Sequence, residues 1–235
     1  MIDIAYKTSY DNVKRDPDGH DPVLRDHHQL LWSKTLPDGR MFNLTVSTYK
    51  PYRLFHSSDA GDFSLSSDCI THSYSRIKNK QMKEIINNFP KNEIDSFFDL
   101  ACTIGGYIVF PSNKVNNQPT INGLRGINSM IKDRFDFTLE CIRRWYIGEM
   151  SPLRDCFNRY RDFFQLFGDF NGYVKFFLLD DLVDDRGQVK FWLPFKDFGV
   201  TRPLPSSVDE YKKYMKNVSD FVKARNAQID KTMNL

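Results

Sequence analysis

Two hydrophobic rhythms follow one another along the chain, and the change falls near residue 78. Upstream, from Leu30 to Tyr74, come "QLLWSKTL", "MFNLTVS", "YRLFHSS" and "FSLSSDCITHSY", short β-type runs broken by turn formers. Runs of this length and make-up predict strands. "PDGR" at 37–40 places Pro and Gly for a reverse turn between two of them. Residues 1–30 are polar and turn-rich, and "DPDGHDP" at 16–22 reads as irregular structure.

Downstream, "NKQMKEIINNF" and "NEIDSFFDLACTI" carry their apolar residues at helical spacing, the second with Asn92 as N-cap. "GGYIVFP" is a short apolar strand, and "NKVNNQPTINGLRG" a polar loop holding Gly123 and Gly126. A long helix is expected over about Asn128–Ile147. Another should run from Ser151 as N-cap, with Pro152 at its first position, to near Gly168. "FNGYVKFFLLDDLV" has helical spacing with a strand as the alternative, "DDRGQVKFWLPF" is a turn into a strand, and a long amphipathic helix starts near Ser207. The pattern predicts an α+β fold: an N-terminal antiparallel sheet of short strands, then a mainly helical C-terminal part with one or two further strands. No repeat or low-complexity tract divides the chain. Residues 1–235 therefore read as one domain, with 1–78 mostly β and irregular and 79–235 mostly α.

Composition adds a sizeable core, since 40% of the 235 residues are hydrophobic and 20 are Phe. A net charge of +3 neither argues for nucleic acid as partner nor excludes it. The N-terminus lacks the pattern of a signal peptide, and no apolar stretch approaches the ~20 residues needed to span a bilayer, so no membrane is expected. Cys69, Cys102, Cys141 and Cys156 stand apart without a CxxC pair, which reads as reduced thiols in a cytoplasmic protein.

Candidate chemistry centres on "KDRFDFTLECIRRWY" at 132–146. On a helical wheel Ile131, Phe135, Leu139, Ile142 and Tyr146 form one stripe, and Asp133, Asp136, Glu140 and Arg144 fall opposite. Asp133, Asp136 and Glu140 could hold a divalent metal for phosphoryl chemistry. They also fit a solvated face with Asp136 or Glu140 paired to Arg143 or Arg144, and helix physics alone explains that arrangement. Arg134 instead falls on an apolar flank with Ile127, Met130, Cys141 and Trp145, where a guanidinium requires a partner. Arg125 lies in the glycine-rich "NGLRG". Asn122, Arg125, Asn128 and Arg134 together form a candidate site for a phosphate or carboxylate. The competing reading is a structural ion pair at Arg134 and glycines that only shape a loop.

All of the histidines, His20, His27, His28, His56 and His72, lie in the first third, and none has metal-ligand spacing. His28 and His56 are acid–base candidates. A Ser–His–Asp set drawn from Ser66, Ser67, His56 and Asp68 lacks a nucleophile elbow. Arg154, Arg159 and Arg161 alternate with Phe157, Tyr160, Phe163 and Phe164, either a nucleic-acid stripe or a helix with an aromatic core face.

Several stretches in order, among them "HQLLWSKTLPDGRMF", "TIGGYIVFP", "TINGLRGIN", "DRFDFTLECIRRWY" and "RYRDFFQLFGDFNGYVKFFLLDDLV", resemble a domain-of-unknown-function family of bacterial and phage proteins. The resemblance runs from about Asp16 to Ile229. It implies one self-contained domain in a bacterial or phage cytosol and brings no activity, cofactor or catalytic residue. Two functions stay open. One is an enzyme acting on a nucleotide or nucleic-acid phosphate, with Arg125 and Arg134 on the anion and His28 or His56 as acid–base. The other is a non-catalytic protein-binding module, in phage–host conflict for example. No motif indicates a cofactor.

Overall fold

The structure, a computed structural model, describes residues 1–8, 17–48, 52–70 and 82–233. His72 and the expected elements over 71–81 lie outside the described residues.

Helices α1 (Pro17–His20) and α2 (Pro22–Trp32) replace the irregular start expected from the sequence, and "QLLW" is the end of α2, not a strand. The reason is local. Asp21 caps α2 by accepting the Leu24 N–H at 3.0 Å, and Pro22 sits in the first turn, where its missing N–H is harmless. Leu24, His27, His28 and Leu31 then share the buried face at helical spacing.

Strands β1 (Lys34–Thr35) and β2 (Met41–Phe42) pair around the predicted turn, with Leu36 N–H donating to Arg40 O at 2.7 Å. Gly39 sits at φ +86°, a conformation glycine adopts without strain. The main sheet is antiparallel, in the order β3 (Thr45–Val46), β4 (Leu54–Ser58), β5 (Gly61–Cys69), β6 (Tyr107–Pro111). Helices α3 (Lys83–Ile86) and α4 (Lys91–Ala101) lie between β5 and β6 in sequence, and α4 starts after Pro90, so Asn92 is inside it. Every residue of β6 is buried, as its unbroken apolar run requires.

After β6, "INGLRGI" forms helix α5 (Ile121–Ile127) where a loop was expected. Thr120 Oγ1 caps it by accepting the Gly123 N–H. The next helix, α6 (Phe135–Tyr146), is shorter than predicted because Lys132 and Asp133 take φ +50° and +60° and end any helix before Arg134. The segment from Ser151 gives α7 (Arg154–Arg159) and α8 (Arg161–Gln165), broken at Tyr160. Helix α9 (Phe170–Phe176) follows, capped by Asp169. "DDRGQVKFWLPF" forms only an isolated bridge, Val183 to Val189, so β6 is the further strand of the helical part among the described residues. Helix α10 (Val208–Met233) closes the fold.

One buried apolar cluster takes Trp32 and Leu65 from the first part and Phe110, Phe135, Phe164 and Tyr214 from the second. Helix α10 seats against the turn before β6, where a Cβ on Gly105 would lie 2.5 Å from Asn226 Oδ1 and 2.9 Å from Val222 O. Glycine lets the backbones meet there, and Gly105 N–H donates to Asn226 Oδ1 at 2.8 Å. No helix among the described residues is long and apolar enough to cross a membrane.

Candidate functional site

The structure puts Arg125 and Arg134 at one joint, between α5 and α6, and both are fully buried. Arg125 donates through Nε to Thr138 Oγ1 at 2.9 Å, through Nη2 to Asp133 O at 3.3 Å, and through Nη1 to Asp68 on β5. The rings of Phe110 and Phe135 lie against it, each centroid 5.6 Å from Cζ. Arg134 is the residue before α6 and forms a two-pronged pair with Asp136, Nε to Oδ1 at 2.8 Å and Nη2 to Oδ2. Its Nη1 donates to Pro203 O at 3.0 Å, and Phe137 stacks on the guanidinium at 4.2 Å. Thr138 Oγ1 links the two systems by donating to Arg134 O at 3.1 Å.

These guanidiniums therefore hold protein acceptors together. Arg125 ties α5 to the sheet, and Arg134 ties α6 to the segment before α10. Asn128 is half-buried, with Oδ1 accepting Met130 N–H at 2.9 Å, and Asn122 is half-buried on α5 with Oδ1 lacking a partner among the described residues. The expected four-residue anion site is thus not an open one.

The acids of α6 match neither reading of the wheel in full. Asp136 is fully buried and its Oδ2 accepts the Trp192 N–H at 3.0 Å in addition to Arg134. Glu140, 4% exposed, accepts from Arg143 Nε and Arg144 Nε, each at 2.8 Å, the helical pairing the sequence predicted. Arg144 continues to Asp197 at 2.9 Å. The face is salt-bridged but covered rather than solvated, because residues 190–203 lie over it. Asp133 stands in the turn before the helix, beside Gly126. The carboxylates do not converge, and among the described residues no three metal-ligating side chains do.

His28 and His56 are both buried and occupy separate environments. His28 Nδ1 accepts the Trp32 indole N–H at 3.1 Å, which puts its proton on Nε2, where it has no partner among the described residues. Burial, then the charge of Arg225, push its pKa down to about 3. His56 Nδ1 faces Asn43 O at 3.1 Å, so that nitrogen carries the proton and Nε2 is an acceptor without a partner among the described residues. Phe42 stacks on its ring at 3.9 Å, and burial lowers its pKa despite the bond to Asn43. The Ser–His–Asp set is not assembled: Ser67 Oγ donates to Asp18 at 2.6 Å, and Asp68 pairs with Arg125. In the arginine–aromatic stripe, Phe157, Phe163 and Phe164 are core, Arg154 donates to Gly148 O at 2.6 Å and Arg159 to Pro119 O at 2.8 Å.

A third fully buried arginine escaped the sequence reading. Arg225 on α10 donates to Gly105 O (2.9 Å), Tyr107 O (2.6 Å) and Phe177 O (2.9 Å), and among the described residues no carboxylate pairs with it. Burial pushes its pKa down to about 9, so it remains a cation at neutral pH. The signal was weak, because Arg225 stands in a charged helix end beside Lys223.

A groove of about 690 Å³ runs between α4 and α10. Phe97, Leu100 and Met215 give it apolar lining, and exposed Lys212, Lys213, Lys216 and Lys223 stand along it against Glu93 and Asp209. Lys212, Lys216 and Lys223 recur at spacings of four and seven, which places them on one stripe of α10. The sequence showed the amphipathic helix; the opposing wall from α4 is non-local and was not legible. Neither Arg134, His28 nor His56 lines this groove.

No curated protein and no solved structure matches the chain. The near full-length resemblance noted in the sequence does have a counterpart, for the match to one family extends over residues 2–229 of 235. The chain belongs to that family, a family of unknown function, DUF6994.

Proposed function

We propose that this protein is a non-catalytic protein-binding module whose α4–α10 groove receives an acidic, amphipathic helical segment of a partner. The observation that carries this reading is the groove itself: apolar side chains at its base and four exposed lysines against two acids along its edges. An apolar helix face would cover Phe97, Leu100 and Met215, and flanking carboxylates would meet the lysines. The alternative, an enzyme acting on a nucleotide or nucleic-acid phosphate, relies on Arg125 and Arg134, whose donors already bond to protein oxygens. A cytoplasmic setting in bacteria or phage belongs to the same proposal; its cytoplasmic part is supported by four buried cysteines that form no disulfide.

The test is fluorescence anisotropy with a synthetic amphipathic peptide bearing glutamates on its polar face, a scrambled peptide of equal charge, and anionic phospholipid vesicles. We expect the amphipathic peptide to bind in a salt-sensitive way, and K212E/K216E to weaken it about tenfold, about 1.4 kcal/mol. Equal binding of the scrambled peptide, or binding of vesicles alone through these lysines, overturns the reading.

A further inference from the structure

A second cavity, of about 450 Å³, lies between the β1–β2 hairpin and α9 and is lined by Lys34, Thr35, Pro37, Asn171, Lys175 and Phe176. Lys34 enters it from β1, half-buried, with Nζ 5.0 Å from the Trp32 ring centre and 4.7 Å from that of Phe176. The Trp32 ring also meets the guanidinium of Arg225, 5.6 Å from its centre. Two cations therefore share one indole, and among the described residues neither has a carboxylate in ion-pair contact. An amine held in an apolar surround beside a second cation is the arrangement that frees a lysine lone pair near neutral pH.

We propose that Lys34 is a nucleophilic amine that captures a small carbonyl compound carrying a carboxylate, as an imine, in this cavity. The Lys34 nitrogen adds to the carbonyl carbon, and the carbonyl oxygen leaves as water with both amine hydrogens, so amine plus carbonyl gives imine plus water. Lys175, on the same cavity wall, supplies the cation for the carboxylate. The charged groups around Lys34 act in opposite directions. Burial, then Arg225 from α10, lower its pKa to about 8, while Asp180 from the turn after α9 raises it. Asp169, which also lines the cavity, is occupied in capping α9 through the Gly172 N–H at 2.7 Å.

The experiment is to incubate the full chain with glyoxylate and cyanoborohydride at about pH 7 and map the reduced adducts by peptide mass spectrometry. We expect Lys34 to be modified on the order of tenfold faster than exposed Lys212 and Lys213, because more of it is unprotonated. Propanal, which lacks the carboxylate, should react several-fold more slowly at Lys34. Labelling of Lys34 at or below the rate of the exposed lysines overturns the proposal, and equal rates for glyoxylate and propanal overturn the role of Lys175. K34R keeps a cation over Trp32 and should abolish the adduct at an unchanged melting temperature. The wild-type rate comparison decides the question even if that variant does not fold.

Discussion

Arg134 and Arg225 are both fully buried, both stacked on aromatic rings and both bonded to backbone carbonyls, yet their surroundings differ in one respect. Arg134 has Asp136 locked against it, so the charge is neutralised where it stands. Among the described residues Arg225 has the carbonyls of Gly105, Tyr107 and Phe177 and no carboxylate partner, so its positive field reaches its neighbours. The pKa values of His28 and Lys34 both fall partly on its account. A buried cation with its counter-ion is a structural clamp. Without one, it becomes a source of perturbed chemistry in the side chains around it.

The largest expected effect tests the clamp. R134M strands the Asp136 carboxylate in the core and should cost about 3–5 kcal/mol in chemical denaturation. R225M removes an unneutralised charge and leaves carbonyls short of donors, for a smaller loss of about 1–3 kcal/mol. The contrast fails if R225M is the more damaging of the two.

Acid comes next. His28 has a folded pKa near 3, below its unfolded value of about 6.5, so between these limits the unfolded chain binds the extra proton. Stability therefore falls as pH drops through that window, by up to about 1.4 kcal/mol per pH unit for this group. His56 and His27, also lowered, act in the same direction. H28N, whose side-chain oxygen can still accept from Trp32, should flatten the acid limb of a melting-temperature profile. An unchanged limb would remove His28 from the account.

A smaller effect joins the two regions of charge. In R225M the amine-labelling midpoint of Lys34 should move upward from about 8, since Arg225 is the second cause of its lowering after burial. If the midpoint stays in place, the field of Arg225 does not reach the cavity. The least effect belongs to the surface: K212E and K216E should each alter stability by no more than about 0.5 kcal/mol. Among the described residues Lys216 pairs with exposed Asp220 alone.

The division into an early sheet and late helices was legible because apolar periodicity is a local property. So was the need of Arg134 for a partner. The partner was not, because Lys132 and Asp133 turn through positive φ and take Arg134 off the helix on which its face was plotted. Pro203 O, the other acceptor, lies 69 residues away. The start of helix α2 was read as irregular and its end as strand, because "QLLW" runs straight into the strand residues at 34–35, although Asp21-Pro22 carried a start signal. Lys34 drew no notice because only Trp32 among its neighbours is close in sequence; Phe176 and Arg225 arrive from other elements.

The seat of α10 also sets an order of assembly. Arg225 and Asn226 bond to Gly105 across separations of 120 and 121 residues, so the turn leading into β6 waits for its partners until the chain has been made through residue 226. A ribosome-bound chain stopped before that point holds Gly105 O and Tyr107 O without their buried donor. Closure of such long loops is slow, and the exposed apolar faces of β6 and α4 would be chaperone targets during synthesis.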